Sequence, residues 1–248
     1  MEQKLSKKIF HISMVIVIIV AILFAVGIII LRYQVEGETN LPFELSKIAI
    51  VSSVDAKSNE DATNRWNLNI NQNNDIYLYI EKNNNYGKTE IIESVTLDNF
   101  TVNKTTQTGE VHLYKPSNSN KVIFENTPEN IIESITYTGD LESNVKELKI
   151  SNQGGLAVLR CANNNVAKYV SNELDQIDYS KLLKTTNTNP EDLKVSISFD
   201  LSLKLTSGKM YKANVNLDLP VENVIEEGTS SKEITDLSDV IFKRIENN

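Results

Sequence analysis

The fold is decided by residues 195–219, VSISFDLSLKLTSGKMYKANVNLDL. Apolar and polar side chains alternate on both sides of residues 206–208, and almost all the apolar ones are odd-numbered. A period of two places one face of each strand in a core. A three-residue loop at 206–208 opposes Leu203 to Tyr211, whereas a two-residue loop would oppose Leu203 to Lys212. The pattern therefore predicts an antiparallel hairpin with the three-residue loop, whose glycine takes a left-handed conformation.

Short apolar stretches with similar patterns cover most of the remaining chain. They predict strands near residues 45–54, 66–70, 76–80, 91–97, 111–113, 122–124, 156–159, 166–170 and 240–245. For the last of these, a helix through Ile234, Leu237, Ile241 and Ile245 is the less favoured alternative. Polar clusters between them predict turns at residues 73–75, 83–87, 152–155 and 163–165. The apolar phase slips at Asp98 and Asn99, which indicates a β-bulge. Only the region around residues 179–183 favours helical turns.

Many short strands with one apolar face predict an antiparallel β-sandwich, immunoglobulin-like or jelly-roll-like, over residues 45–248. One domain and two tandem β units both fit the pattern. The sequence IIESVT at residues 91–96 returns as IIESIT at residues 131–136, which favours the tandem reading only weakly.

A single apolar run at residues 9–31 predicts a membrane-spanning helix. Twenty-three residues make about 34 Å of helix, enough for a hydrocarbon core of about 30 Å. Lysines precede the run and glutamates follow Arg32, so we expect residues 1–8 in the cytoplasm and the rest outside. Residues 32–44 are interpreted as a linker. A cleaved signal peptide is the alternative, but the run is longer than such peptides use.

Charge and cysteine content exclude several classes of protein. The chain has 25 basic and 33 acidic residues; beyond the predicted anchor the balance is about −11. This argues against nucleic acid or another polyanion as ligand, although Lys181, Lys184 and Lys194 are candidates for a local basic patch. The single cysteine, Cys161, rules out an intramolecular disulfide and is interpreted as a buried apolar residue.

No motif predicts a catalytic residue, a cofactor-binding residue or a metal ligand. Asp55, Asn59 and Asp61 follow the odd spacing of calcium-loop oxygens, but Lys57 occupies a ligand position, and a plain loop is favoured. His112 is the only histidine beyond the apolar run and lies in a strand-like segment without a partner motif.

Three hypotheses of function follow from this inventory. The favoured one is a non-enzymatic, membrane-anchored subunit of a bacterial cell-envelope assembly, bound to lipid through residues 9–31 and to a protein partner at the outer membrane face. The second is a carbohydrate- or wall-binding module, suggested by the aromatic residues Trp66, Tyr77, Tyr79 and Tyr86. The third is a hydrolase that uses two carboxylates, because acidic residues are plentiful.

Overall fold

A computed structural model describes residues 2–38, 40–58, 66–117, 121–139, 150–171 and 176–245. The chain begins with one long helix, α1 (Glu2–Glu36). From Met14 to Leu31 every large apolar side chain of α1 is 46–72% exposed. Residues Ser13–Arg32 are long and apolar enough to cross a membrane, and none of that stretch is buried against the rest of the protein. The predicted apolar helix is therefore present and uncovered.

Eleven strands in the described ranges form two antiparallel sheets. They are β1 (Phe43–Ser58), β2 (Asn67–Lys82), β3 (Ile92–Lys104), β4 (Glu110–Tyr114), β5 (Ile135–Thr138), β6 (Ile150–Ser151), β7 (Gly154–Val170), β8 (Val195–Leu205), β9 (Met210–Asp218), β10 (Thr229–Ile234) and β11 (Lys243–Ile245). Sheet 1 has the order β10-β1-β2-β7-β4, with β6 paired to one end of β7. Sheet 2 has the order β11-β9-β8-β3-β5.

The two sheets bury one shared apolar core. Side chains of alternate residues meet there, including Ile48 and Ile50 from β1, Leu78 from β2, and Phe199 and Val215 from the hairpin. All five are fully buried. The sequence prediction of a sandwich-like arrangement of antiparallel sheets is confirmed, and burial of these apolar faces is its main driving force.

The predicted hairpin register is confirmed along β8 and β9. Leu203 pairs with Tyr211 and Ser196 with Asp218, without an irregularity between them. Gly208 closes the three-residue loop with φ +81°, and its N–H donates to Leu205 O at 2.9 Å. The bulge predicted where the apolar phase slips is also confirmed, since the β3–β8 register shifts between Asp98 and Thr101.

The strands β1, β2 and β7 continue past the end of sheet 2. There a second, smaller apolar cluster forms, in which Leu68 and Ile70 of β2 pack with residues from three short helices. These helices are α2 (Leu182–Thr185), α3 (Pro190–Leu193) and α4 (Val224–Glu227). A 3₁₀ turn, Tyr179–Lys181, precedes α2, so the predicted helical turns near residues 179–183 are confirmed.

A row of buried polar residues separates the two apolar clusters, and it corrects two predicted turns. Residues 73–75 lie inside β2, and residues 163–165 lie inside β7. Asn71, Gln72, Asn73 and Asn74 are only 0–3% exposed. Asn74 Nδ2 donates to Cys161 O at 3.2 Å, and Asn73 Oδ1 accepts from Asn126 Nδ2 at 2.8 Å. Partners distant in sequence satisfy these amides, so asparagine here continues the strand.

Three further local predictions, two turns and one strand, can be compared with the structure. The turn at residues 83–87 is confirmed, because Tyr86 N–H donates to Asn83 O at 3.1 Å. The turn predicted at residues 152–155 is confirmed at residues 152 and 153 only, since Gly154 and Gly155 begin β7 and pair with β6. The predicted strand at residues 122–124 is wrong: Phe124 is buried beneath the Arg160 guanidinium, 4.9 Å from it, outside any ladder.

The two similar hexapeptides pair with each other only near their ends. Thr96 of β3 pairs with Thr136 of β5, and their hydroxyl groups are 3.0 Å apart. The start of the second hexapeptide follows sheet 1 instead, since Ile131 forms a bridge with Tyr114 of β4 and Ile132 N–H donates to Leu113 O at 2.9 Å. The two copies therefore do not adopt the same structure.

The connection between α1 and sheet 1 is short and tightly packed. Glu38 N–H donates to Phe242 O at 2.9 Å, and Asn83 Nδ2 donates to Leu41 O at 2.9 Å. Gly37 has φ +83°, and a Cβ on it would lie 2.4 Å from Ile241 Cγ2. The region predicted as a linker thus contains the end of α1, this junction and the first residues of β1. We call this end of the sandwich helix-proximal and the opposite end helix-distal.

Candidate functional site: a cleft at the helix-distal end

A cleft of about 910 Å³ lies where sheet 2 ends. Four separate stretches of chain line it: residues 102–105, 194–196, 218–222 and 230–232. They are the end of β3, the start of β8, the end of β9 with the segment after it, and part of β10. The cleft thus exists because β1, β2 and β7 extend beyond the strands of sheet 2.

The cleft lining combines apolar side chains with charged ones. The apolar residues are Val102, Val195, Leu219, Pro220 and Val221. The charged residues are Lys104, Lys194, Lys232, Asp218 and Glu222. Serine and asparagine supply further hydrogen-bonding groups, and the described part of the lining contains no aromatic residue, histidine or cysteine.

Lys104 has an unusual environment for a lysine. Its ammonium group donates to Asn163 Oδ1 at 2.8 Å and to Thr108 O, which are both neutral acceptors. Burial lowers the pKa of Lys104, and the negative charge of Asp192 offsets part of this effect. The partly desolvated cation therefore stands without a carboxylate hydrogen-bond partner among the described residues, and a carboxylate from a ligand would stabilise it.

The segment after β9 is fixed by the buried polar row. Pro220 O accepts from Ser52 Oγ and from Gln72 Nε2, each at 3.4 Å. Gln72 is fully buried, and its Oε1 has no hydrogen-bond partner among the described residues. These contacts hold residues 219–222 against sheet 1 and give the cleft a firm wall.

One wall of the cleft is an edge strand. Among the strands that the structure describes, β10 pairs only with β1, from Ile234 opposite Ile48 to Thr229 opposite Ser53. Its other side is the open edge of sheet 1. An open edge presents backbone N–H and C=O groups that a further strand can pair with.

The structure describes only the start of the segment considered for calcium binding, and it corrects the loop prediction there, since residues 55–58 belong to β1. Asp55 lies in β1, where its carboxylate accepts from the N–H of Ala56 at 2.8 Å, and Asn59 and Asp61 lie outside the described residues. Among the described residues no group of three or more His, Cys, Asp or Glu side chains could hold a metal ion.

His112 and Cys161 both lie in sheet 1, away from the cleft lining. His112 is half-buried on β4, and its Nδ1 lies 3.3 Å from Asn164 Nδ2. Cys161 is fully buried in the main core, and burial raises the pKa of its thiol to about 12. A nucleophile needs the thiolate, so this environment favours an unreactive cysteine.

The four aromatic residues do not form one platform. Tyr77 and Tyr79 share the outer face of β2, where the Lys47 ammonium lies 4.5 Å from the centre of the Tyr79 ring. Trp66 precedes β2 and packs on the smaller apolar cluster at the helix-distal end, whereas Tyr86 comes after the other end of β2. Only the tyrosine pair is brought together.

Two of the three candidate basic residues are paired with carboxylates, and the third bonds to a backbone oxygen. Lys184 Nζ lies 2.5 Å from Glu226 Oε2, Lys194 pairs with Glu191, and Lys181 donates to the backbone oxygen of Glu226. All three lysines are exposed, and this arrangement is typical of a solvated surface.

Two carboxylates lie side by side on neighbouring strands of sheet 2. Asp98 pairs with Asp200, and Lys212 Nζ lies 3.1 Å from Asp200 Oδ2 and 3.7 Å from Asp98 Oδ1. Desolvation opposes ionisation of Asp200, but hydrogen bonds from Asn99, Asn214 and Lys212 outweigh it and lower the Asp200 pKa. A general acid requires a raised pKa, so this pair suits an ion-pair network better than proton donation.

Comparison with known proteins adds no further assignment. No protein-family model matches the chain, and no curated protein or solved structure matches it. Inference about function therefore depends on the geometry described above.

Sequence reasoning missed the cleft. Its lining comes from four short stretches between residues 102 and 232, and none of them carries a motif. The only local signal of the cleft is Pro220, just after β9. It indicates that the strand ends there but not which residues lie beside it.

Proposed function

We propose that the protein is a single-pass, membrane-anchored β-sandwich module that binds a protein partner outside the membrane through the helix-distal cleft. The module is non-enzymatic and serves as a subunit of a bacterial cell-envelope assembly. An immunoglobulin-like or jelly-roll-like fold for the body belongs to the same proposal.

The uncovered face of α1 is the observation that carries the proposal. Twenty residues, Ser13–Arg32, have a mean hydropathy of 3.5 and no contact that buries them. Exposing so many apolar side chains to water is costly, about 25 cal/mol per Å². A bilayer removes that cost and also explains why the segment is a helix, since lipid offers no partner for backbone groups.

The anchor is tested by placing charges at the centre of α1. Val20→Arg with Leu23→Arg adds about 2.5–3.5 kcal/mol per residue to the cost of insertion. We expect the double variant to leave the membrane fraction in a flotation assay, whereas the matched control Val20→Leu with Leu23→Val stays there. Equal flotation of both variants contradicts the anchor.

The cleft favours a protein partner over a carbohydrate. Sugar sites present an aromatic ring on which the sugar stacks, and none of the described residues that line the cleft is aromatic. Apolar side chains surrounded by lysine, acid and serine groups suit the mixed surface of a polypeptide.

The partner proposal is tested with a photo-reactive amino acid in living cells. Val102 lines the cleft and is 37% exposed, and Val51 lies on the outer face of sheet 1 and is 42% exposed. We expect the probe at position 102 to give a reproducible protein adduct that the probe at position 51 does not give. No adduct at position 102, or the same adducts at both positions, contradicts the proposal.

A further inference from the structure

We infer that the partner contributes an extended segment, which pairs with the open edge of β10 as an additional strand of sheet 1 and extends its side chains into the cleft. This inference rests on the proposed function and names the kind of partner. It requires a backbone edge that is free, side chains that face the cleft, and a charge that the segment can match.

The backbone of β10 meets the first requirement. Val54 N–H donates to Gly228 O at 2.9 Å, and the antiparallel register continues from that pair along β10. Because hydrogen-bonded pairs alternate along an antiparallel ladder, even-numbered residues of β10 direct their backbone groups to β1. Thr229, Ser231 and Glu233 therefore direct theirs away from sheet 1. Three N–H and three C=O groups are available over about 13 Å.

The side chains of β10 meet the second requirement. Ile234 packs against the main core, so the even-numbered side chains of β10 face sheet 2. Ser230 and Lys232 share that face, and both line the cleft. A strand added beside β10 continues this alternation, so every second side chain points toward sheet 2 and the apolar lining near Val195 and Leu219.

One of the lysines that line the cleft indicates the kind of side chain that the added segment should carry. Lys104 is half-buried with neutral acceptors, and Lys232 is exposed at the cleft wall. A carboxylate on the added strand would lie near Lys232, whereas Lys104 bonds to Asn163 of β7, four strand positions or about 19 Å from the added strand, and is out of its reach. We therefore expect a segment of five or six residues in which apolar side chains alternate with polar ones and at least one residue is acidic.

This mode of pairing is tested with a random decapeptide library displayed on phage. The full chain is reconstituted in lipid nanodiscs, and empty nanodiscs remove peptides that bind lipid. We expect the recovered peptides to alternate apolar and polar residues and to include an acidic residue. Recovery of no peptide above the empty-nanodisc level, or of peptides without alternation, overturns the inference.

A recovered peptide is then measured against three forms of the protein. Ser231→Pro removes an outward N–H while leaving the hydrogen bonds to β1 in place, and Ser231→Ala keeps the backbone intact. We expect Ser231→Pro to weaken binding at least tenfold and Ser231→Ala less than twofold. Unchanged reactivity of the buried Cys161 thiol shows that both variants remain folded.

Backbone methylation of the peptide gives an independent result. Methylating each peptide nitrogen in turn should abolish binding at every second position only, because a strand directs alternate N–H groups to its neighbour. Uniform sensitivity, insensitivity, or equal binding to Ser231→Pro overturns strand addition. If position 102 still gives its specific adduct in cells while these tests fail, the proposed function stands and only the pairing mode is wrong.

Discussion

Asn74→Ala tests the most unexpected feature of the fold, the buried polar row inside β2. Asn74 is fully buried. Its Oδ1 accepts from Ser52 Oγ at 2.5 Å, and its Nδ2 donates to Cys161 O at 3.2 Å. The substitution removes both hydrogen bonds. The Cys161 carbonyl and the Ser52 hydroxyl then lose Asn74 as their partner.

The expected loss follows from these contacts. Each hydrogen bond contributes about 1 kcal/mol net, and a buried polar group left unpaired costs about 1–3 kcal/mol. Ser52 keeps a second acceptor, Pro220 O at 3.4 Å, which limits its share of the cost. We therefore expect Asn74→Ala to lower the free energy of unfolding by about 2–3 kcal/mol.

Urea unfolding of the detergent-solubilised chain measures this loss, with the fluorescence of the only tryptophan, Trp66, as the signal. For an m value of about 2 kcal/mol/M the midpoint should fall by about 1 M. Asn84→Ala is the matched control, because Asn84 belongs to a similar asparagine cluster but is exposed in a turn; its effect should stay within about 0.5 kcal/mol. Equal effects of the two substitutions would refute the reasoning.

Three further predictions use the same preparation. Gly37→Ala should destabilise the junction by about 1–2 kcal/mol, because φ is positive there and Ile241 occupies the space of a Cβ, whereas Gly87→Ala, in open space, should be neutral in urea unfolding. Lys209 Nζ lies 2.6 Å from the buried carboxylate of Glu90. Burial opposes ionisation of Glu90, but hydrogen bonds from Lys209 and Ser207 lower its pKa, so the stabilisation is present above the unfolded pKa of about 4.5 and is lost as the pH falls through the lower folded value. Lys209→Met should remove this acid dependence from urea midpoints measured between about pH 3 and 6, and an unchanged dependence would contradict the pairing. Cys161, buried and with a raised pKa, should react with maleimide only when the chain unfolds; rapid labelling of the native protein would contradict its placement.

Strict alternation was a dependable guide to the fold. The hairpin β8–β9, its register and its loop follow from the parity of the apolar residues, because the three-residue loop opposes Leu203 to Tyr211 whereas a two-residue loop would oppose Leu203 to Lys212. The bulge near Asp98 follows from the same argument, since a change of parity requires an extra residue in one strand.

The asparagine clusters show where local reasoning stops. Residues 73–75 and 83–85 are almost identical in composition, yet the first cluster continues a strand and the second forms a turn. The difference lies in partners far along the chain: Ser52, Cys161 and Asn126 bond the side chains of Asn73 and Asn74. No local pattern reports such partners, and turn propensity therefore gave the wrong prediction.

The candidate site was beyond prediction for a related reason. The sequence predicts strands, but the cleft results from the different lengths of strands in the two sheets. β1 and β2 each have 16 residues, whereas β9 has nine. Strand ends are set by which neighbours are present, so neither the overhang nor the open edge at β10 can be read from alternation alone.

The most direct test of the account is the sidedness of the body in intact spheroplasts. The buried Cys161 gives no background, so a membrane-impermeant maleimide reports a single added cysteine. The account predicts that Val122→Cys, at an exposed position, is labelled without permeabilisation, whereas Gln3→Cys before the apolar run is labelled only after lysis. Labelling of Gln3→Cys in intact spheroplasts, with Val122→Cys protected until lysis, would contradict the outside location on which the proposed function depends.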